Sequence, residues 1–499
     1  MNKKYIIAID QSTQGTKAVL FDENGELIAR SDNPHEQIIN EKGWVSHDLE
    51  EIYHNTLKSV REVIEKSKIN KKYISALAIT NQRETSAIWN RRTGKPLDKA
   101  IVWQCDRAEE ICSRISSKET ERLIKEKTGL QLSPYFPAAK LAWFMEHIPI
   151  AKELSRKEEL CLGTMDSWLV YCLTKGKSFR TDYSNASRTQ LLNLHTLQWD
   201  ESLCKLFGIP LSALPQLCDS NAVYGRTDLE GYLEEEVPIH CVMGDSHAAL
   251  YGHGCFEKGM IKTTYGTGSS IMMNIGELPV ILEDGIVTSI GWTINNRTTY
   301  VLEGNINYTG GVITWLKNIG LIANAGETEE LAKKANPKDQ TYFIPAFTGL
   351  GAPHWRPEAR GTIVGMSRFT GKNELVRAAL ESIAYQIQDV LEALQKASHI
   401  PVNKLCVDGG PTRNPYLMQF QSDISGVSLK VPDVEELSAI GTAYLCGITM
   451  GIYQKSVFQN IIYESYEEVM DKECRFQKYE GLKNSIDKIG VKNETTTDS

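Results

Sequence analysis

With 499 residues and 41% hydrophobic content, the chain can bury more than one core, because single cores stop growing at about 250 to 300 residues. Net charge is -8 with acids and bases interspersed, so no basic stripe marks nucleic acid or an anionic membrane surface as a partner. The eleven cysteines are scattered with no Cys-x-x-Cys pair, which fits reduced packing thiols rather than a disulfide framework or a zinc site.

The opening "MNKKYIIAIDQ" reaches Asp10 after five apolar residues, too short for a signal-peptide core, and no stretch approaches the roughly 18 apolar residues of a membrane span. A soluble, cytoplasmic protein is expected. "KYIIAID" and "KAVLFD" are β-rich runs joined by a Gly/Thr turn into a hairpin. In "DLEEIYHNTLKSVREVIEKSK", Ile52, Val60, Val63 and Ile64 share one helix face, with Asp48 as the cap. "ISALAIT" and "AIVW" read as further strands, so the first half is a layered α/β core. The second half repeats the device. After the strand "PIHCVMGD" and the helix "SHAALYGHG", "GMIKTTYGTGSSIMMNIG" is again strand, Gly/Thr turn, strand. "KLCVDGGPTRNPYLMQFQSD" is a strand, a glycine turn and a helix. "ELSAIGTAYLCGITMGIY" is an apolar helix whose Gly441 and Gly447 permit close approach of a neighbouring backbone or a ligand. Two halves that each open on a small-residue hairpin predict a duplicated architecture facing itself across a cleft. The boundary is placed near residue 252, with "VKNETTTDS" as a frayed tail.

Several motifs carry chemistry beside a plain structural reading. The turn after Asp10 offers backbone N–H groups and hydroxyls to phosphate oxygens, with Lys17 as a cation, or is an ordinary hairpin. A second such turn, "YGTGSS", favours two hairpins gripping one triphosphate from both sides. Asp10 could hold magnesium, an ion that takes few carboxylates and relies on substrate phosphates. Asp245 stands where a strand gives way to a helix, as an N-cap or as a carboxylate that takes the proton of a substrate hydroxyl. Arg83 and Glu84 are a solvated surface couple or a donor fork beside an acceptor for neighbouring polyol hydroxyls. Trp103 and Tyr135 are core aromatics or the wall of a polyol site. His247 is read as a capping or packing residue, with a substrate contact as the alternative. No His-Glu-x-x-His spacing or Gly-x-Ser-x-Gly elbow supports a metalloprotease or a hydrolase.

In this order, "YIIAIDQSTQGTKA", "ITNQRETSAIW", "AIVWQC", "YFPAAKLAWFMEH", "TDYSNASRT", "YGTG", "PAFTGLGAPHW", "VDGGPTRN" and "AIGTAYLCG" resemble the FGGY carbohydrate kinase family, and within it the glycerol kinase branch, over nearly the whole chain. The resemblance implies two actin-like, ribonuclease H-like α/β domains, 1–252 and 253–460, followed by a C-terminal extension 461–499. They would close on ATP-magnesium and a small polyol, glycerol in this branch, in a homo-oligomer. It further implies Asp245 as general base. Arg83, Glu84, Trp103, Tyr135 and Ser246 would meet the substrate. Thr13, Gln14, Gly15 and Lys17 would meet nucleotide phosphates from the first domain, and Thr267 and Gly310 from the second. Thr314, Gly410 and Asn414 would complete the nucleotide site, and Asp10 and Asp245 would accompany magnesium.

The chain departs from the branch pattern in places. Asp245, Ser246, His247 stand where Asp-Gln-Gln is typical, Ser269 and Ser270 replace Cys-Phe after "YGTG", and Thr314 stands where Gln is common. Losing a ring leaves space and adds hydroxyls, which loosens discrimination against a longer polyol or ketose. "LEGYLEEEVP" lacks both the histidine that a sugar phosphocarrier protein phosphorylates in some relatives and the glycine-lysine loop that binds a sugar bisphosphate in others. Neither control is expected here.

Overall fold

The computed structural model describes residues 3–489 apart from 283, 284, 352, 353, 355 and 357. The tail "VKNETTTDS" and part of "PAFTGLGAPHW" therefore lie outside the described residues. The first hairpin forms from β1 (Tyr5–Gln11) and β2 (Gly15–Phe21), with β3 (Leu27–Pro34) beyond β2. β1 also pairs in parallel with β4 (Ile74–Asn81), and β4 with β6 (Val237–Gly244), while β5 (Val223–Thr227) closes the edge beside β6. The order is β5-β6-β4-β1-β2-β3. β1 is buried along its whole length, as a strand covered on both faces requires, which is why "YIIAI" runs apolar without alternation. One cover is α1 (Leu49–Ser67), whose predicted Ile52, Val60, Val63 and Ile64 are all buried and whose first turn is capped by the Asp48 carboxylate.

The second half builds the same sheet again. β7 (Met260–Tyr265) and β8 (Ser269–Gly276) form the second hairpin. β9 (Val287–Ile294) and β10 (Arg297–Ile306) extend it on one side. β11 (Lys404–Gly409), β12 (Leu429–Pro432) and β13 (Tyr463–Tyr466) extend it on the other. The order is β9-β10-β8-β7-β11-β12-β13. The strands β3-β2-β1-β4-β6 and β10-β8-β7-β11-β12 share order and sense, antiparallel through the hairpin and parallel beyond it. The two α/β sheets are the duplication that the hairpins predict and the actin-like pair that the resemblance implies.

Four helices matter for the site. α2 (Pro137–His147) follows Tyr135, α3 (Asp245–Gly252) follows β6, α4 (Gly310–Asn318) follows β10, and α5 (Leu437–Thr449) comes from the second half. Yet α5 packs against α3 and the first sheet rather than the second. The crossing is backbone on backbone: a Cβ on Gly441 would lie 1.9 Å from the Ala248 carbonyl oxygen, and one on Gly252 would lie 2.4 Å from that of Leu437. Gly447 is filled over by the Tyr453 ring, so both glycines of the apolar helix serve packing. Beyond residue 460, β13 pairs with β12, and Tyr479, Leu482 and Ile486 enter the core of the second half. Among the described residues, no helix is long and apolar enough to cross a membrane, and all eleven cysteines are free thiols.

Candidate active site

Asp245 is the first residue of α3, with Gly244 in the N-cap position. It therefore does not cap its own helix from outside; its carboxylate is 35% exposed at the edge of a cleft. Its backbone is fixed from two directions. The Gly244 N–H donates to the Ser184 hydroxyl at 2.9 Å, and the Ser438 hydroxyl at the head of α5 donates to the Asp245 carbonyl at 3.0 Å.

Beside Asp245 lies a cluster of buried charges. Arg83 donates from Nε to Asp245 Oδ1 at 3.2 Å and grips Glu303 with both terminal nitrogens, at 2.8 and 3.1 Å. Arg188 donates to Glu84 at 2.6 Å and ion-pairs with Glu303 at 3.0 Å. Glu84, Arg188 and Glu303 are each at most 2% exposed and Arg83 7%, which removes the reading of Arg83 and Glu84 as a surface couple. Burial works against the Arg83 charge, but Glu303, Glu84 and Asp245 outweigh it and hold the guanidinium protonated; burial likewise opposes the Glu303 charge, yet Arg188 and Arg83 pull its carboxyl well below the usual range. Glu84 sits at φ +62°, a left-handed conformation that costs a residue other than glycine about 1–3 kcal/mol. That strain turns the chain between Arg83 and Thr85 so that both charged side chains reach the cluster.

The other predicted acceptor residues stand beside it. The Trp103 and Tyr135 rings meet edge to face with centroids 5.7 Å apart, and both are half-buried. Burial and then the Glu84 carboxylate push the Tyr135 phenol up. The Ser246 hydroxyl accepts from Arg83 at 3.2 Å, and the Ser270 hydroxyl donates to Glu303 at 3.1 Å. Two of the three serines that depart from the branch pattern, Ser246 and Ser270, are thus tied into the charge cluster. His247 is fully buried with Nε2 3.2 Å from the Ser289 hydroxyl, a packing role as predicted.

Two cavities meet at the cleft. One, of about 730 Å³, is lined by Asp10, Lys17, Asp245, Ser246, Lys262 and Gly410 among others. A second, of about 620 Å³, is lined by Gly310, Thr314, Lys317, Gly410 and Asn414 among others. Gly410 and Arg413 line both, so the two are neighbours across that glycine turn. Four of the predicted nucleotide residues from two separate segments, the start of α4 and the glycine turn after β11, are thereby brought around one cavity, and Asp10 and Asp245 around the other.

The predicted phosphate turns stand at the hairpin tips. Thr13 accepts the Trp103 indole N–H at 3.0 Å, linking the first turn to the aromatic wall. Gln14 is exposed. A Cβ on Gly15 would fall 2.7 Å from the Asn33 carbonyl oxygen, so strand packing alone demands this glycine. Lys17 is not a free cation: its ammonium donates to both oxygens of Glu436, at 3.1 and 3.2 Å. In the second turn, the Thr267 carbonyl accepts from the N–H groups of Thr309 and Gly311, and the Gly266 carbonyl from that of Gly310. The second turn is thereby stitched to the start of α4.

Asp10 is opposite Lys17 in the hairpin. Burial pushes its carboxyl up to about 7, against the pull of Lys17 and with the repulsion of Asp245 and Glu436 added. Two carboxylates at one cavity wall, with the Asp245 charge adding to the cost of ionising Asp10, fit a divalent cation, and Mg²⁺ needs only one or two such ligands beside substrate phosphates. No group of three or more ligating side chains occurs among the described residues.

Residues 5–252 match the N-terminal domain and residues 261–450 the C-terminal domain of the FGGY family of carbohydrate kinases. The chain belongs to this family. It is 47% identical over 489 residues to glycerol kinase 1 of Thermotoga maritima, covering 97% of this chain and 99% of the relative. It is 43% identical over 490 residues to the glycerol kinase of Alkaliphilus oremlandii, covering 97% of each. Among solved structures, the Plasmodium falciparum glycerol kinase with ADP superposes with a TM-score of 0.93 at 35% identity, covering 98% of each chain.

Arg188, Glu303, Lys140 and Lys262 have no assigned role in the sequence reading. A signal for them exists: Glu303 in "YVLEGNI" and Lys262 in "GMIKTTY" are lone charges inside otherwise apolar or small strands, and such charges stay buried only when something pairs with them.

Proposed function

We propose that this chain transfers the terminal phosphoryl group of ATP to glycerol, giving sn-glycerol 3-phosphate. The observation that carries this is full-length similarity to glycerol kinases combined with the contact of Arg83 Nε on Asp245 at 3.2 Å beside buried Glu84. A fork of donors between two carboxylates suits adjacent hydroxyls, each of which gives and takes a hydrogen bond. Trp103 and Tyr135 would cover the carbon skeleton. Asp245, partly exposed at the cavity edge, would take the hydroxyl proton as the acceptor oxygen attacks. Thr314, Gly410 and Asn414 would hold the nucleoside, and Thr13, Gln14, Gly15, Lys17, Thr267 and Gly310 the phosphates, Lys17 after giving up Glu436. Mg²⁺ beside Asp10 and Asp245 would neutralise charge on the phosphates. We take residues 1–252 as the acceptor half and 253–460 as the nucleotide half, in a cytoplasmic homo-oligomer.

Ser246 and Ser270 favour a second reading, since they bring small hydroxyl side chains to the acceptor side of the cluster. A longer polyol or a ketose would then be the acceptor. A panel of glycerol, tetritols, pentitols and ketoses with ATP, ranked by kcat/KM, decides. Glycerol at the head supports the first reading; a longer acceptor tenfold ahead replaces it with the second.

A further inference from the structure

Lys262 lies in β7 and is fully buried, yet its side chain lines the same cavity as Asp10 and Asp245. Among the described residues its ammonium has one hydrogen-bond partner, the Thr264 hydroxyl at 2.9 Å, and no ion-pair partner. The other cations of the site each have ion-pair or carbonyl partners. Arg83 and Arg188 share Glu303, Glu84 and Asp245, Lys17 holds Glu436, and Lys140 donates to the carbonyls of Pro134 and Tyr135. The carboxylate that acts most strongly on Lys262, Asp408, is itself bound by His253 at 2.9 Å. The charged groups around Lys262 are Asp408, Arg83, Glu303 and Asp245, and burial pulls its pKa below the ordinary lysine value.

A buried ammonium with three donors and one neutral partner is costly, and a multiply charged anion in the adjoining cavity would remove that cost. We propose that Lys262 is a catalytic residue of the second sheet, contacting the phosphoryl group as it passes from nucleotide to acceptor. This rests on the phosphotransfer reading above. In that step the acceptor oxygen forms a bond to the γ-phosphorus. The bond to the bridging oxygen breaks with its electron pair leaving on ADP, and the hydroxyl proton passes to Asp245. Lys262 stays protonated throughout. Asp245 stands on the first sheet's side of the cavity and Lys262 on the second sheet's. The cation therefore faces the equatorial oxygens, where charge is spread in the transition state, while the base faces the attacking hydroxyl.

The test is Lys262→Met, which keeps the straight chain and removes the charge. Its glycerol-dependent kcat should fall about 10²- to 10³-fold, as for loss of a transition-state donor, with KM for glycerol within threefold. By titration calorimetry it should weaken the non-hydrolysable ATP analogue AMP-PNP at least fivefold more than ADP, because only the former carries the γ-phosphoryl group. A kcat within threefold of wild type, or equal weakening of the two nucleotides, overturns the proposal. Should Lys262→Met not fold, Thr264→Val decides. It keeps the lysine, removes its anchor and should shift the AMP-PNP to ADP affinity ratio in the same direction by about threefold; an unchanged ratio overturns. The binding comparison needs no acceptor, so it stands even if glycerol proves the wrong substrate, which wild-type turnover would reveal separately.

Discussion

Glu303→Gln is the perturbation that strikes the acceptor side hardest without touching the cavity of Gly310 and Asn414. Glu303 is 1% exposed and lies against two guanidinium groups, 2.8 and 3.1 Å from Arg83 and 3.0 Å from Arg188. Removing one partner of a buried ion pair costs about 3–5 kcal/mol. Here Arg188 keeps Glu84 and Arg83 keeps Asp245, which places the loss near about 3 kcal/mol in urea unfolding. The kinetic effect follows from geometry. Without its bidentate partner, Arg83 is free to swing fully onto Asp245, and a displacement of about 1 Å at a positioning residue costs about 10²-fold in rate. We therefore expect kcat/KM for glycerol to fall about 10²-fold in a coupled ADP-release assay, while calorimetric affinity for ADP stays within twofold. A variant whose kcat/KM lies within threefold of wild type would refute the idea that Glu303 holds the acceptor cluster in place.

The remaining predictions concern packing, protonation and the aromatic wall. Lys140 is fully buried, and burial lowers its pKa to about 7 against the opposing pull of Glu84. Between that value and its unfolded one near 10.5, the unfolded chain binds more protons, so stability rises with pH by up to about 1.4 kcal/mol per pH unit. Lys140→Met should lack this slope, so that wild type gains about 2 kcal/mol over the variant between pH 7.5 and 9.5; parallel curves would contradict it. Gly441→Ala forces a methyl group into the carbonyl of Ala248 and should cost about 2 kcal/mol or more and lower kcat through α3; an unchanged melting temperature would show that the helices can part freely. Trp103→Phe keeps the ring but loses the N–H to Thr13, worth about 1 kcal/mol, so kcat/KM for glycerol should drop about fivefold, and equality with wild type would dismiss the link.

Much of this architecture is legible in the sequence because its elements are locally determined. "YIIAIDQ" and "GMIKTTY" are strands wherever they are placed, and the glycines between their hairpin strands leave little choice of turn. The sharing of one cavity by Asp10, Asp245 and Gly410 follows from duplication, since both hairpins open toward the same cleft. Pairings between distant segments are less accessible. Nothing local in "LEGN" says that Glu303 will meet Arg83, 220 positions away, or that Lys17 will be held by Glu436, 419 positions away. The residence of α5 on α3 and the first sheet is likewise a tertiary outcome, visible in the folded packing and in the contact of Gly441 with Ala248. The serines at 246 and 270 illustrate the same limit. By composition they add free hydroxyls to a site, and in the fold both hydroxyls are spent on the buried charges.

The most direct test of the account follows the product by ³¹P NMR, with ATP, Mg²⁺ and glycerol supplied to wild type and to Asp245→Asn. We predict stoichiometric glycerol 3-phosphate and ADP from wild type, and at least a 10²-fold slower appearance of both from the variant at unchanged ADP affinity. Near-equal product formation by Asp245→Asn would contradict proton removal by this carboxylate and, with it, the mechanism built on its contact with Arg83.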